Sequence, residues 1–155
     1  MRQPGAPNIP IQAIGLSLYE NLPSGLDQPV EQPGKKVTRT QWLDFSSIQM
    51  GSLIGKNILI VDEVDDTRTT LEYAIKELEK DVENARQQSG RTEKTSFFIF
   101  VLHNKDKLKK GQLPLEMERE NRYLAAKTTG DFWICYPWEA TDIEEHDEMA
   151  KSHGL

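Results

Sequence analysis

Acidic and hydroxyl-bearing residues follow directly after a short apolar run of the sequence. The run covers residues 58–61, and continuous apolar runs of this kind are typical of strands covered on both faces in a parallel sheet. The polar residues that follow it are Asp62, Glu63, Asp65, Asp66, Thr67, Arg68, Thr69 and Thr70. Carboxylates suit sugar hydroxyls and hard cations, and a helix start with hydroxyl side chains suits phosphate. This order of residue types predicts a binding site for a sugar phosphate.

A helix and a second strand are predicted to position this site. The helix has an apolar stripe at helical spacing and ends around residues 87–90. The apolar stripe consists of Leu71, Ile75, Leu78, Val82 and Ala85. The apolar run over residues 95–103 predicts the second strand, which ends at His103. Residues 57–103 would therefore form a β-α-β unit of an α/β domain, in which ligands bind at the carboxyl ends of the strands.

The region before the acidic cluster is predicted to form a strand, a loop and a returning strand. Residues 8–18 are rich in isoleucine and leucine and are interpreted as one strand leaving the sheet. Residues 21–36 are rich in proline, glycine and charge, which indicates a long flexible loop. Apolar and polar residues alternate well enough over residues 37–45 to predict the strand that returns from this loop. Loops of this length in a compact domain are often functional lids.

The composition bounds the class of protein. The chain has 155 residues, which suits one domain over residues 1–155. The net charge of −6 argues against nucleic-acid binding, because no basic face is available for a phosphate backbone. The single cysteine, Cys135, fits a reducing compartment. The sequence shows no membrane-length apolar stretch and no signal-peptide core, so we expect a soluble cytoplasmic protein. The basic run over residues 105–110 is interpreted as a solvated loop.

Three other interpretations of the acidic cluster were weighed. A Walker B strand would need a phosphate loop, but the nearest match, GSLIGKN at residues 51–57, has one residue too few between its glycines. A receiver domain would need an aspartate at the end of a later strand, where this chain has His103. The third interpretation is a solvated loop that caps the helix, with Asp66 or Thr67 as N-cap.

The run Ile-Val-Asp-Glu-Val-Asp-Asp-Thr-Arg-Thr-Thr at residues 60–70 resembles the phosphoribosyl-diphosphate signature of the type I phosphoribosyltransferases. The resemblance implies that Asp62 and Glu63 hold the ribose hydroxyls, directly or through Mg²⁺, and that Asp66 faces the purine as general base. It also implies a cradle for the 5′-phosphate, formed by Asp66, Thr67, Arg68, Thr69 and Thr70. Arg68 stands where the family usually has glycine, so its guanidinium would add a contact to the phosphate.

The segment GDFWICYPWEATD at residues 130–142 would in isolation be a core strand. It closely resembles a segment of the bacterial xanthine-guanine phosphoribosyltransferases. The resemblance implies that Trp133 stacks on the purine, that the main chain of Ile134 reads the base edge, and that Lys105 donates to the exocyclic oxygen, with His103 as the alternative. Ser17 and Tyr19 resemble the element of the family's lid loop.

Residues 4–150 resemble the fungal hypoxanthine-guanine phosphoribosyltransferases. The resemblance is carried by the short segments SLYE, RTQW, VDEVDDTRTT, NRY and YPWE. This resemblance implies an open parallel sheet that is flanked by helices. It also implies phosphoribosyl diphosphate and a 6-oxopurine as substrates and Mg²⁺ as cofactor. Assembly into a homodimer is left open. The family also has a central strand and a Gly-rich pyrophosphate loop upstream, which are not recognisable before Gly51. We therefore expect either a truncated transferase or a non-catalytic binding module. Residues 144–155 are expected to be a polar helical tail.

Overall fold

The computed structural model describes residues 9–22, 30–43 and 53–152. The described elements, in chain order, are β1 (Gly15–Leu22), β2 (Val30–Gln41), β3 (Asn57–Asp65), α1 (Thr69–Ser89), β4 (Ser96–Lys105), α2 (Leu115–Arg119), β5 (Tyr123–Thr129), a 3₁₀ turn (Pro137–Glu139) and α3 (Ile143–Ser152). The fold is thus mixed α/β, as the sequence predicts.

β3, β4 and β5 form a parallel sheet in that order. The predicted β-α-β unit is confirmed, with α1 between β3 and β4. At the carboxyl end of the sheet Asp65 lies beside Asn104, and Lys105 lies beside Thr129. The ends of all three strands therefore meet at one edge, where the acidic cluster begins. β4 extends past the predicted end at His103 and carries Lys105 on its last position.

α1 covers one face of this sheet with the predicted apolar stripe. Leu71, Ile75, Leu78 and Val82 are buried with the inward residues of β4, of which Ile99 is fully buried. The helix ends where predicted, because Gly90 adopts φ 69° and its N–H donates to the carbonyl of Arg86.

The expectation that β3 is covered on both faces is wrong. Leu59 and Val61 are 58% and 65% exposed, and on the same face Leu124 of β5 is 55% exposed. Ile58 and Ile60 alternate with them and pack against the core. The sequence pattern did not distinguish a strand covered on both faces from a strand covered on one face, because both faces of β3 carry aliphatic residues.

β1 and β2 form a separate antiparallel sheet, which corrects the predicted strands and loop. Residues 9–14 precede β1 and are not strand. Residues 21–22 and 30–36, predicted to be flexible loop, belong to the two strands, while residues 23–29 lie outside the described part of the chain. β2 ends at Gln41, and residues 44–45 of the predicted returning strand are also outside it. The hairpin packs on α1 through an ion pair of Arg39 with Glu77 and a hydrogen bond from Trp42 Nε1 to Asp81 Oδ2 at 2.8 Å.

Residues 130–142 do not form the strand expected from aromatic content alone. They run irregularly from β5 into the 3₁₀ turn at Pro137–Glu139. The N–H of Tyr136 donates to Glu139 Oε2 at 3.1 Å and closes this turn. The tail begins as α3, in agreement with the predicted polar helix, and residues 153–155 lie outside the described residues.

Candidate functional site

A cavity of about 610 Å³ lies at the carboxyl ends of the parallel strands. Its volume is within the usual range for small-molecule sites. The predicted polar residues that line it are Ser17, Asp62, Glu63, Asp66, Thr67, Thr70 and Lys105. The predicted base-binding residues Trp133 and Ile134 line the same cavity. Residues far apart in sequence therefore meet around one space, as the resemblance implied.

The turn at residues 66–69, which we call the phosphate turn after its predicted role, joins β3 to α1. The N-cap of α1 is Arg68, not Asp66 or Thr67 as the capping interpretation held, and no side chain caps it. The hydroxyls of Thr67 and Thr69 are 3.0 Å apart. Because the first N–H groups of a helix have no intrahelical partner, this turn offers donors and hydroxyls to an anion.

Arg68 adopts a left-handed backbone conformation, with φ 67°. Such a conformation costs a non-glycine residue about 1–2 kcal/mol, which accounts for the usual glycine at this position in the family. The guanidinium compensates by binding Asp65, with Nε and Nη2 each 3.0 Å from Oδ2, and by lying 4.9 Å from the ring centroid of Tyr123. Its side chain is thus engaged with Asp65 and Tyr123 beside the turn.

Asp65 is a buried carboxylate for which the sequence suggested no separate role. It is 1% exposed and accepts a hydrogen bond from Tyr123 Oη at 2.7 Å. Lys109 Nζ lies 3.5 Å from its Oδ1 and donates to the backbone carbonyls of Asp65 and Asp66 at 2.7 and 2.9 Å. A buried charge persists when it is paired and hydrogen-bonded, and here Arg68 and Lys109 supply the pairing.

The basic run at residues 105–110 is not a solvated loop throughout. Lys105, Lys107 and Lys109 have side chains that are 12%, 26% and 16% exposed, and each pairs with an acidic residue of the site. The interpretation as a solvated loop is therefore wrong for these three. The charge pattern of the sequence did not reveal these ion pairs, because the acidic partners lie about forty residues away, at the end of β3.

Asp66 lies between two of these lysines. Its Oδ1 is 3.6 Å from Lys105 Nζ and 2.9 Å from Lys107 Nζ. Burial acts to raise the pKa of Asp66, but the hydrogen bond from Lys107 and the charges of both lysines outweigh it and hold the pKa below its usual value. Lys105 lines the cavity, whereas His103 is hydrogen-bonded through Nδ1 to Tyr136 Oη at 2.9 Å.

Asp62 and Glu63 form an adjacent acidic pair at the cavity wall. Burial, together with the neighbouring Glu63, raises the pKa of Asp62 to about 7. The N–H of Glu63 donates to Asp62 Oδ1 at 3.0 Å. A positive charge or hydroxyl donors near this carboxyl group would favour its ionised form.

Tyr136 ties the aromatic segment to this acidic pair. Its hydroxyl donates to the carbonyl of Glu63 at 3.0 Å, and its ring stacks on Trp138 at a centroid distance of 4.8 Å. Tyr136 is 5% exposed, whereas Trp133 is 81% exposed at the cavity. The segment is therefore anchored by Tyr136 and presents Trp133 to a ligand. In β1, Ser17 lines the cavity, and Tyr19 pairs along the backbone with Pro33.

Among the described residues, no group of three or more histidine, cysteine, aspartate or glutamate side chains is arranged to hold a metal ion. No helix within the described ranges is long and apolar enough to cross a membrane.

Comparison with known proteins places the chain in a family. Xanthine phosphoribosyltransferase 1 of Saccharomyces cerevisiae is 57% identical over 157 residues, which cover 99% of this chain and 74% of the relative. The chain belongs to the hypoxanthine-guanine and xanthine phosphoribosyltransferase family. The hypoxanthine-guanine phosphoribosyltransferases of Schizosaccharomyces pombe and S. cerevisiae are 57% and 55% identical, over 99% of this chain and 74% and 72% of their own lengths. No protein-family model matches the sequence.

A solved structure agrees with this family's fold. A hypothetical protein from Neisseria gonorrhoeae with bound ppGpp superimposes with a TM-score of 0.65 at 34% identity, over 94% of this chain and 69% of that chain. The parallel sheet flanked by helices is compatible with the type I phosphoribosyltransferase fold. The resemblance in the acidic signature thus identified the family correctly.

Proposed function

We propose that the chain transfers the phosphoribosyl group of phosphoribosyl diphosphate to a 6-oxopurine, either hypoxanthine, guanine or xanthine. The products are the nucleoside monophosphate and pyrophosphate, as in purine salvage. One observation carries the proposal: a phosphate-binding turn, an acidic pair, a lysine-flanked Asp66 and an exposed Trp133 line one cavity. This set matches the phosphate, ribose and base of the product.

Each part of the cavity suits one part of the substrates. The start of α1, with Thr67 and Thr70, suits the 5′-phosphate. Asp62 and Glu63 suit the ribose hydroxyls. Trp133 offers its face to the purine, and stacking of this kind is worth about 1–3 kcal/mol. Lys105 stands on the wall where it donates to an exocyclic oxygen, which favours 6-oxopurines over 6-aminopurines.

Asp66 is the proposed general base. The purine N9 forms a bond to C1′ while the bond from C1′ to pyrophosphate breaks, through a transition state with oxocarbenium character. Asp66 accepts the proton that the base loses, from N7. Its lowered pKa keeps the carboxylate ionised and ready to accept this proton.

Mg²⁺ fits this arrangement as a cofactor held in part by the substrate. Mg²⁺ commonly uses one or two carboxylates together with substrate phosphates, which agrees with a pair of carboxylates rather than a closed cluster. Asp62 and Glu63 would hold it, directly or through the ribose. When bound, the ion supplies charge neutralisation for the leaving pyrophosphate.

Nucleotide formation by the chain tests the proposal. Phosphoribosyl diphosphate and Mg²⁺ are incubated with hypoxanthine, guanine, xanthine or adenine, and the products are separated by chromatography. We expect a monophosphate from at least one 6-oxopurine and none from adenine. The bacterial neighbour's bound ppGpp, a guanine nucleotide, makes GMP the reference for product binding. Binding of GMP without nucleotide formation would favour the alternative, a non-catalytic binding module.

The remaining expectations stay proposals about the molecule as a whole. We propose that residues 1–155 form one domain, that the β1–β2 hairpin with Ser17 and Tyr19 acts as the lid of the site, and that the protein works in the cytoplasm. We propose no nucleic-acid or membrane partner, and a homodimer as the assembly. Light scattering coupled to size exclusion would measure the mass of the assembly directly.

A further inference from the structure

Lys107 bridges the carboxylates of two separate segments of the site. Its Nζ lies 2.9 Å from Oδ1 of Asp66 and 2.8 Å from Oδ1 of Asp131. Asp66 follows β3, whereas Asp131 opens the segment that carries Trp133. Of the two lysines beside Asp66, Lys105 lines the cavity and Lys107 does not. Lys107 therefore contacts Asp66 without forming part of the cavity wall.

We propose that Lys107 is a positioning residue that keeps Asp66 ionised and, through Asp131, fixes the base-stacking segment against it. The inference rests on the proposed function and deepens it, since it assigns the two lysines different tasks. Lys105 lines the cavity and contacts the same two carboxylate oxygens at longer distances, 3.6 Å to Asp66 and 3.9 Å to Asp131, so it is the lysine assigned to the exocyclic oxygen of the ligand. Lys107 then remains as the cation beside the carboxylate.

The charges around Asp66 support this division. Lys105 lies 3.6 Å from the carboxylate, and Lys109 donates to the backbone carbonyl of Asp66 at 2.9 Å. Asp62 and Glu63 line the same cavity as Asp66. Lys107 provides the shortest contact to the carboxylate, and its hydrogen bond is the largest of the effects that lower the pKa of Asp66.

The backbone of Lys107 is also fixed. Its N–H donates to the carbonyl of Lys105 at 3.0 Å, and the N–H of Asp106 donates to the carbonyl of Thr129 at 2.7 Å. The loop is thus tied to the end of β5, one residue before Gly130 and two before Asp131. A short, charge-assisted contact between two fixed backbones restrains both segments.

The pH dependence of turnover tests whether Lys107 keeps Asp66 ionised. We expect the acidic limb of the kcat/KM profile to move to higher pH in Lys107→Met, because Asp66 loses its nearest cation. Lys107→Arg should restore the limb. Lys80→Met removes the same charge from an exposed position on α1 and is the matched control. If the acidic limbs of the kcat/KM profiles lie at the same pH in Lys107→Met and Lys80→Met, the inference is overturned.

Asp131→Asn tests the second task, because it leaves the charge of Lys107 beside Asp66. We expect the KM for the purine to rise about tenfold, as for a lost charged hydrogen bond, with the acidic limb not moved upward. An unchanged KM for the purine would overturn this part of the inference.

A measurement without turnover separates this inference from the proposed function. Carboxyl-carbon NMR of the metal-free protein follows the titration of Asp66 directly in the wild type, Lys107→Met and Lys80→Met. A raised pKa of Asp66 in Lys107→Met alone supports the inference even if the chain forms no nucleotide. An unchanged pKa in Lys107→Met overturns it even if the transferase is active.

Discussion

The carboxylates that follow β3 lie in different electrostatic environments. Asp65 is buried, but Arg68 and Lys109 balance its charge. Asp66 is held in its ionised form by Lys105 and Lys107. Burial and the neighbouring Glu63 raise the pKa of Asp62 to about 7, and no cation of the described residues is paired with it. Four acidic residues of similar chemistry thus divide into a buried, paired carboxylate, a carboxylate beside two lysines, and a pair that favours positive charge or hydroxyl donors.

The raised pKa of Asp62 predicts a pH-dependent cost to stability. Between its ordinary value of 3.8 and about 7, the unfolded chain ionises while the folded chain keeps the proton, so the free energy of unfolding falls as pH rises. Asp62→Asn removes this slope. We expect the variant to gain more Tm over the wild type at pH 8 than at pH 5, without Mg²⁺, because only part of the cost is present at pH 5.

Thermal unfolding at the two pH values measures this effect. Asp106→Asn changes an exposed aspartate in the loop after β4 and is the control. An equal gain in Tm for Asp62→Asn at pH 5 and pH 8 would contradict a raised pKa for this group.

Trp133→Ala is predicted to weaken purine binding. The ring is 81% exposed at the cavity and is not part of the core, so its removal should leave the fold stable. We expect a loss of about 1–3 kcal/mol in binding of GMP, measured by calorimetric titration. Phe132→Ala removes the neighbouring exposed aromatic ring and should bind as the wild type does. Equal losses in both variants would rule out stacking on Trp133.

At the scale of elements, the phosphate turn depends on the loop between β4 and α2. The N–H groups of Lys110 and Gly111 both donate to the carbonyl of Thr67 at 3.0 Å. A Cβ atom at position 111 would lie 2.4 Å from the carbonyl oxygen of Arg68. The loop can hold the turn at this distance because residue 111 has no side chain.

Gly111→Ala is therefore predicted to disturb the turn. Overpacking of this kind typically costs about 1–3 kcal/mol, and we expect a lower Tm together with a higher KM for phosphoribosyl diphosphate. Gly130→Ala is the control, since a Cβ there would meet Phe132 at an ordinary 3.5 Å. The close approach would have no structural importance if Gly111→Ala kept both the wild-type Tm and the wild-type KM.

Elements with a local signal could be predicted from the sequence. The stripe from Leu71 to Ala85 and the capping Gly90 defined α1 almost to the residue. The pairing of β1 with β2 could not be predicted, because the adjacent Pro33 and Gly34 inside β2 are typical of a loop. The exposed face of β3 was missed for a related reason: Leu59 and Val61 are as aliphatic as Ile58 and Ile60.

At the scale of the whole molecule, the site is assembled from four distant segments. Asp62, Glu63, Thr67 and Thr70 could be selected from the order of residue types after β3, because they lie in one short segment, and all four line the cavity. The roles of Tyr136, Lys107 and Asp131 could not be predicted, since each depends on a contact across 24 to 73 positions of sequence. Family resemblance supplied Trp133 and Lys105, which periodicity alone would have placed in a core strand and a solvated loop.

The central claim is that this assembled cavity performs purine phosphoribosyl transfer with Asp66 as base. Steady-state kinetics of the wild type and Asp66→Asn, with phosphoribosyl diphosphate, Mg²⁺ and whichever 6-oxopurine reacts best, test it most directly. We predict turnover by the wild type and a kcat about 10²–10⁴-fold lower in Asp66→Asn, with KM values little changed. A variant that keeps the wild-type kcat and loses only substrate affinity would contradict the role of Asp66, and a wild-type chain without turnover would contradict the transferase itself.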